Sequence, residues 1–267
     1  MEAPEIVGYM NNNLVTKSDA PTQYTMVSVP FTGLENDNIM FDDITFENVV
    51  PGSADPDCDW IHIWYTAEDG DCGYYDFYQW VGDNQWYDMG DATPADYYPD
   101  GLPAGLSFWY EAICDDAEKG IERPGQLKIT FAGAVENADD ATFVLVTKSD
   151  APTQYTMVSN PFPVAWQLED TEAAVISGVV PGSADPDCDW IHIWYTAEDG
   201  DCGYYDFYQW VGDNHWYDMG DATPADYYPD GLPAGTAFWY EAICDDADKG
   251  IERGEDLTIK FFNPLKK

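Results

Sequence analysis

Three kinds of side chain in this chain could do chemistry: clustered carboxylates, cysteines and strand-borne aromatics. The carboxylates form two short runs. Asp55, Asp57 and Asp59 alternate just before a strand-like segment, and Glu68, Asp69 and Asp71 follow in the turn after it. The same runs return as Asp185, Asp187 and Asp189, then Glu198, Asp199 and Asp201. Hard cations need several oxygens at about 2.3–2.6 Å, and carboxylates concentrated on loops supply them. Pro56 and Trp60 break the spacing of an EF-hand loop, so the pattern is not that one. Calcium is the one cofactor these residues raise, with Asp55, Asp57, Asp59, Asp69, Asp71, Asp185, Asp187, Asp189, Asp199 and Asp201 as its candidate ligands. The plain alternative is that they solvate turns and cap backbone donors.

The six cysteines fall three to a copy: Cys58, Cys72 and Cys114, then Cys188, Cys202 and Cys244. Cys58 precedes the segment WIHIWYT (60–66) and Cys72 follows it. Seven extended residues separate the two by roughly 20 Å, far beyond the ~7 Å between Cα atoms that a disulfide spans. If the segment ending at Cys114 runs parallel to residues 60–66, Cys114 reaches the turn that holds Cys72. Cys72–Cys114 and Cys202–Cys244 are therefore the expected disulfides. Cys58 and Cys188 are left over, to remain free, join each other across the repeats or link subunits. Cysteines without zinc-like spacing fit an oxidising compartment.

Period-two alternation sets Ile61, Ile63 and Tyr65 on one strand face and Trp60, His62 and Trp64 on the other. Tyr74, Asp76, Tyr78 and Trp80 share a face of the next strand. Trp60, Trp64, Trp190 and Trp194 are the candidate aromatic contacts. Such a face either packs on another layer, repeat or subunit, or forms an exposed interaction patch. Rings beside carboxylates also suit sugars, which stack their C–H faces and hydrogen-bond through hydroxyls. No nucleophile elbow, zinc-protease helix, phosphate loop or dinucleotide fingerprint occurs. The histidines are His62, His192 and His215. No catalytic residue is assigned, and the chain reads as non-enzymatic.

These residues sit in a duplication. Residues 49–123 return 130 positions later as 179–253, differing only at Gln85/His215, Leu106/Thr236, Ser107/Ala237 and Glu118/Asp248. Short alternating segments separated by Gly, Pro and Asp turns, without helical periodicity, predict an all-β protein of two tandem antiparallel sandwich or barrel modules. The expected division is 1–135 and 136–267, with the boundary near residues 136–140. Glu5, Ile6, Val7, Gly8 and Tyr9 form a strand candidate whose counterpart, 136–140, is polar. On this reading module 1 has a strand that module 2 lacks.

The balance of 51 acidic against 10 basic residues, net −41, excludes nucleic acids and anionic membranes as partners. It fits a saline habitat, bound divalent cations, a cation-bridged assembly or simply a solvated acidic surface. No apolar run is long enough for a membrane-spanning helix. Met1-Glu2-Ala3-Pro4 reads as a start codon ahead of a mature N-terminus whose leader is omitted.

The segments QYTMVSVPF (23–31) and QYTMVSNPFP (154–163), with Gly-Leu-Pro-Ala-Gly leading to Phe-Trp-Tyr in both copies, resemble tandem β-repeat domains of secreted proteins from bacteria of the Planctomycetes–Verrucomicrobia–Lentisphaerae group. The resemblance covers nearly the whole chain. It implies export and a β-module, and it carries over no activity and no site residues. The expected function is a secreted or cell-surface structural protein that self-assembles into a fibre, layer or matrix through its N-terminal strand and aromatic faces. The alternative is a bivalent carbohydrate-binding protein assisted by calcium, with glycans rather than further copies of itself as partner.

Overall fold

The computed structural model describes residues 7–18, 20–35, 37–53, 57–116, 120–148, 151–183, 187–246 and 250–266. The chain is all-β, with four small antiparallel sheets, two from each repeat. The larger sheet of repeat 1 runs in the order β2 (Thr22–Ser28), β7 (Ser107–Ile113), β4 (Trp60–Thr66), β5 (Cys72–Gln79) and β6 (Trp86–Tyr87). The smaller sheet runs β1 (Val7–Asn13), β8 (Lys128–Ala134) and β3 (Thr45–Glu47). Repeat 2 builds the same pair. Its larger sheet is β10 (Thr153–Ser159), β15 (Ala237–Ile243), β12 (Trp190–Thr196), β13 (Cys202–Gln209) and β14 (Trp216–Tyr217). Its smaller sheet is β11 (Ala174–Ser177), β16 (Thr258–Phe262) and β9 (Asp140–Val144).

Strand alternation decides which face is core. On β4, Ile61 and Ile63 are fully buried, while Trp60, His62 and Trp64 point the other way and stay partly exposed. The turn joining β4 to β5 closes through the Ala67 N–H to the Asp71 carbonyl at 2.7 Å, and Gly70 supplies its left-handed residue at φ 93°. The buried cluster of repeat 1 draws on both of its sheets: Ile61, Phe77, Phe108 and Tyr110 from the larger, Ile129 and Phe131 from the smaller. An equivalent cluster serves repeat 2. Alternation on this hairpin thus separates a buried face bearing Ile61, Ile63 and Phe77 from an outer face bearing Trp60, His62 and Trp64.

Two expectations are corrected here. The first is the unmatched strand. β1 pairs along its whole length with β8, from Val7 opposite Ala134 to Asn13 opposite Lys128. In repeat 2, β9 takes the same place beside β16, with Val144 opposite Thr258. The asparagines after Met10 and the acids Asp139 and Asp140 masked the rest of β1 beyond the expected segment 5–9 and the start of β9, because a solvated edge strand needs few apolar residues. Glu5 and Ile6 lie outside the described residues. The second correction concerns the expected disulfides. β7 lies antiparallel to β4, with Trp60 opposite Glu111. Cys114 therefore lies beyond the start of β4, whereas Cys72 pairs with Thr66 at its far end, roughly 20 Å away. Cys72–Cys114 cannot form, and Cys202–Cys244 fails for the same reason.

One buried ion pair in each repeat ties the larger sheet to its loops. The chain has only two arginines, Arg123 and Arg253. The Arg123 guanidinium makes a bidentate contact with Asp59, through Nη1–Oδ2 at 2.7 Å and Nη2–Oδ1 at 2.5 Å. Nη1 and Nη2 also donate to the carbonyls of Asn48 and Ile113, whereas the buried Nε has no hydrogen-bond partner and lies 3.8 Å from Asp115. Asp59, fully buried, also accepts from the Tyr110 hydroxyl, the Ile113 N–H and the Val50 N–H. Arg253 and Asp189 repeat the arrangement. Position 48, at φ 63°, is Asn, and its counterpart Gly178 lies at φ 76°; both residue types tolerate that backbone. Removing one partner strands the other charge in the interior. Asp59→Ala is expected to lower the stability of repeat 1 by about 3–5 kcal/mol in urea unfolding, and Asp59→Leu with Arg123→Met by less. A loss below about 1 kcal/mol for the single variant would show that the pair carries no such weight.

Candidate functional site: the cleft between the repeats

The aromatic faces of the two larger sheets meet each other. Met26, Trp109, Met157, Ala237 and Trp239 form a third buried cluster, joined by Trp64 and Trp194. The contact is reciprocal. Trp64 packs edge-on against Trp239 with centroids 5.1 Å apart, and Trp194 against Trp109 at 5.3 Å. The Trp64 indole N–H donates to the Tyr155 carbonyl at 2.9 Å, and the Trp194 indole N–H to the Tyr24 carbonyl at 2.9 Å. Each N–H also reaches the threonine hydroxyl two residues on, Thr66 or Thr196. Because the same patch serves both sides, this is a self-complementary interface inside one chain.

The two faces do not close fully. They leave an open cleft of about 830 Å³ lined by matching residues of both repeats, among them Tyr24, His62, Tyr74 and Asp76 with their counterparts Tyr155, His192, Tyr204 and Asp206. Tyr74 and Tyr204 are each 42% exposed. His62 bridges two carboxylates, with Nδ1 to Asp76 at 2.7 Å and Nε2 to Glu111 at 3.0 Å. His192 does the same with Asp206 and Glu241 at 2.7 and 2.9 Å. A neutral imidazole offers one donor and one acceptor, so a ring held between two carboxylates is satisfied only as imidazolium. Burial opposes that charge, but the hydrogen bonds to Asp76 and Glu111 outweigh it and raise the His62 pKa from 6.5 to about 9. His192 is raised to the same value by its own pair. Burial first, then hydrogen bonding to Glu111, pushes Tyr24 up to about 12. The network places two fixed cations beside four carboxylates around an aromatic floor. It holds no nucleophile next to a free base.

The expected site residues are distributed differently. Trp64 and Trp194 belong to the repeat interface. Trp60 and Trp190 sit on the same faces, each against its cross-strand tyrosine, Tyr78 or Tyr208, at 5.1 Å. The calcium set does not converge. Asp59 and Asp189 are consumed by Arg123 and Arg253. Asp69, Asp71, Asp199 and Asp201 lie at the other end of β4 or β12, roughly 20 Å from Asp57 and Asp187. Asp69 and Asp199 accept from the backbone N–H two residues on, that of Asp71 or Asp201. Asp55 and Asp185 lie outside the described residues. Among the described residues, no group of three or more His, Cys, Asp or Glu side chains is arranged to hold a metal ion.

Asp76, Glu111 and their counterparts were missed as partners of the histidines. Hairpin register could have found Asp76, since a turn centred on Asp69 sets it opposite His62. Glu111 required the pairing of β4 with β7, which no local signal specifies. No protein-family model matches the chain, and no curated protein matches it either.

The imidazolium makes a specific pH dependence. With a folded pKa of about 9 against an unfolded value of 6.5, the histidine contribution to stability is full below pH 6.5 and is lost as pH rises through 9. The ring proton signals of His62 and His192 are expected to titrate near pH 9 in NMR, and Glu111→Gln is expected to lower the midpoint of His62. Midpoints near 6.5 in the unmodified protein would contradict the bridged geometry.

Proposed function

We propose that the chain is a non-enzymatic, extracellular carbohydrate-binding protein whose site is the cleft between its repeats. The supporting observation is the open aromatic cleft itself, with exposed Tyr74 and Tyr204 rings set beside the Asp76 and Asp206 carboxylates. Tyrosine rings stack on the C–H faces of a sugar, and carboxylates accept from its hydroxyls. The net charge of −41 favours neutral glycans over polyanionic ones. Because residues of both repeats line one cleft, the binding unit is a single composite site rather than two independent ones. On this reading each repeat's two sheets pack as the layers of one sandwich, which the shared buried clusters support. Export also fits the likeness to secreted bacterial β-repeats.

A second reading, self-assembly, keeps one specific observation. β1 is the edge of its sheet, with Val7 55% and Tyr9 75% exposed, so strand addition along that edge could join copies into a fibre or layer. Tyr9→Lys would then abolish filaments seen by electron microscopy without unfolding the chain.

Glycan-array screening followed by calorimetry tests the main reading. One equivalent of a neutral oligosaccharide is expected per chain, and Tyr74→Ala with Tyr204→Ala is expected to weaken binding by about 1–3 kcal/mol through loss of two stacking rings. Trp64 and Trp194 are unsuitable probes because they hold the repeats together. If no neutral glycan binds, the carbohydrate reading is wrong.

A further inference from the structure

The aromatic face of the larger sheet continues past the cleft to its outer edge. Tyr78 lies opposite Tyr87 of β6. Trp80, two residues further along, falls on the same face. These three rings, with Asp83 and Asp91, line a separate open cavity of about 300 Å³. The rings of Tyr78 and Trp80 meet edge-on with centroids 6.5 Å apart. Trp80 is held by a tight turn, its N–H donating to the Gln85 carbonyl at 2.7 Å and its carbonyl accepting from Asn84 at 2.8 Å. The indole lies so close to Gly82 that an added Cβ would come within 2.3 Å of Nε1. Any other residue at position 82 would displace the ring.

The two carboxylates face these rings. Asp83 accepts from the Tyr87 hydroxyl at 3.1 Å and from the Gln85 N–H at 2.9 Å. Asp91 is held at a left-handed φ of 67°. Hydrogen bonding to Asp83 raises the Tyr87 pKa, and burial followed by the charge of Asp91 raises that of Tyr78. Among the described residues, neither carboxylate forms an ion pair with a lysine or arginine. Repeat 2 carries the same arrangement: Tyr208 and Trp210 at 6.4 Å, Tyr217 donating to Asp213 at 3.1 Å, Gly212 against Trp210, and Asp221 at φ 65°.

We propose that this cavity is a binding site for an alkylammonium cation, a quaternary or methylated amine, and that the matching residues of repeat 2 form a second such site. Three ring walls attract a weakly hydrated cation through their π faces, and the two carboxylates supply the counter-charge. A bare divalent ion would need several oxygen ligands at short range, where this cavity's only carboxylates are Asp83 and Asp91. The site is independent of the cleft between the repeats.

Choline and its neutral isostere 3,3-dimethylbutan-1-ol are the probes, titrated against the full chain by tryptophan fluorescence and NMR. Two equivalents of choline are expected to bind, at least about tenfold more tightly than the isostere. Asp83→Asn and Asp91→Asn, combined with Asp213→Asn and Asp221→Asn, are expected to remove that preference. Asn keeps the turn acceptor and tolerates the left-handed backbone, so circular dichroism should report an unchanged fold. Gly82→Ala with Gly212→Ala is expected to weaken choline binding by displacing the indoles. Tyr74→Ala with Tyr204→Ala, at the cleft, should leave it unchanged. Absence of saturable choline binding, equal binding of the isostere, or displacement of choline by equimolar Ca²⁺ would overturn the proposal.

Discussion

The architecture turns on one reciprocal contact, in which Trp64 of the first repeat and Trp194 of the second each insert against the other's sheet. Each indole N–H finds a backbone carbonyl across the interface, so the buried polar atom is satisfied while the ring removes apolar surface from water. Near-identity of the repeats makes this possible, because a self-complementary patch needs the same residues on both sides. It also explains why the aromatic face of β4 need not be a ligand platform. Its centre is interior, and only its margins reach solvent.

Acidity is handled in two ways. The two arginines are spent inside, on Asp59 and Asp189, where a bidentate pair with further backbone hydrogen bonds can offset desolvation. At the cleft, His62 and His192 take over as cations because paired carboxylates hold their protons. The protein therefore makes positive charge where basic residues are scarce, and it does so at the cleft between the repeats. The exposed carboxylates elsewhere stay solvated and give the surface its sign.

Duplication has two different consequences along one face. Near the pseudo-symmetric contact, both copies contribute to a single composite cleft. Farther out, Tyr78, Trp80 and Tyr87 line a pocket of repeat 1 alone, and repeat 2 sets Tyr208, Trp210 and Tyr217 in the corresponding places. The same strand thus supplies both a shared site and a private one, according to distance from the partner repeat.

Much of the β architecture was legible in the residues. The alternation of residues 60–66, the turn before Cys72 and the duplication define the hairpins, because side-chain period and turn chemistry are local properties. The strands at 7–13 and 140–144 were legible only in part, since edge strands with one solvated face do not need an apolar signature. Strand direction was not legible: β7 runs antiparallel to β4, and that alone removed Cys72–Cys114 and brought Glu111 to His62. Acid-rich runs that looked like one ligand set lie at opposite ends of a strand. Composition, repeat and local pairing come from neighbours along the chain, whereas the Glu111 contact of His62, the Arg123–Asp59 pair and the contacts across the cleft join residues 49 to 172 positions apart. Their energies depend on burial and on partners that only the packed sheets bring together.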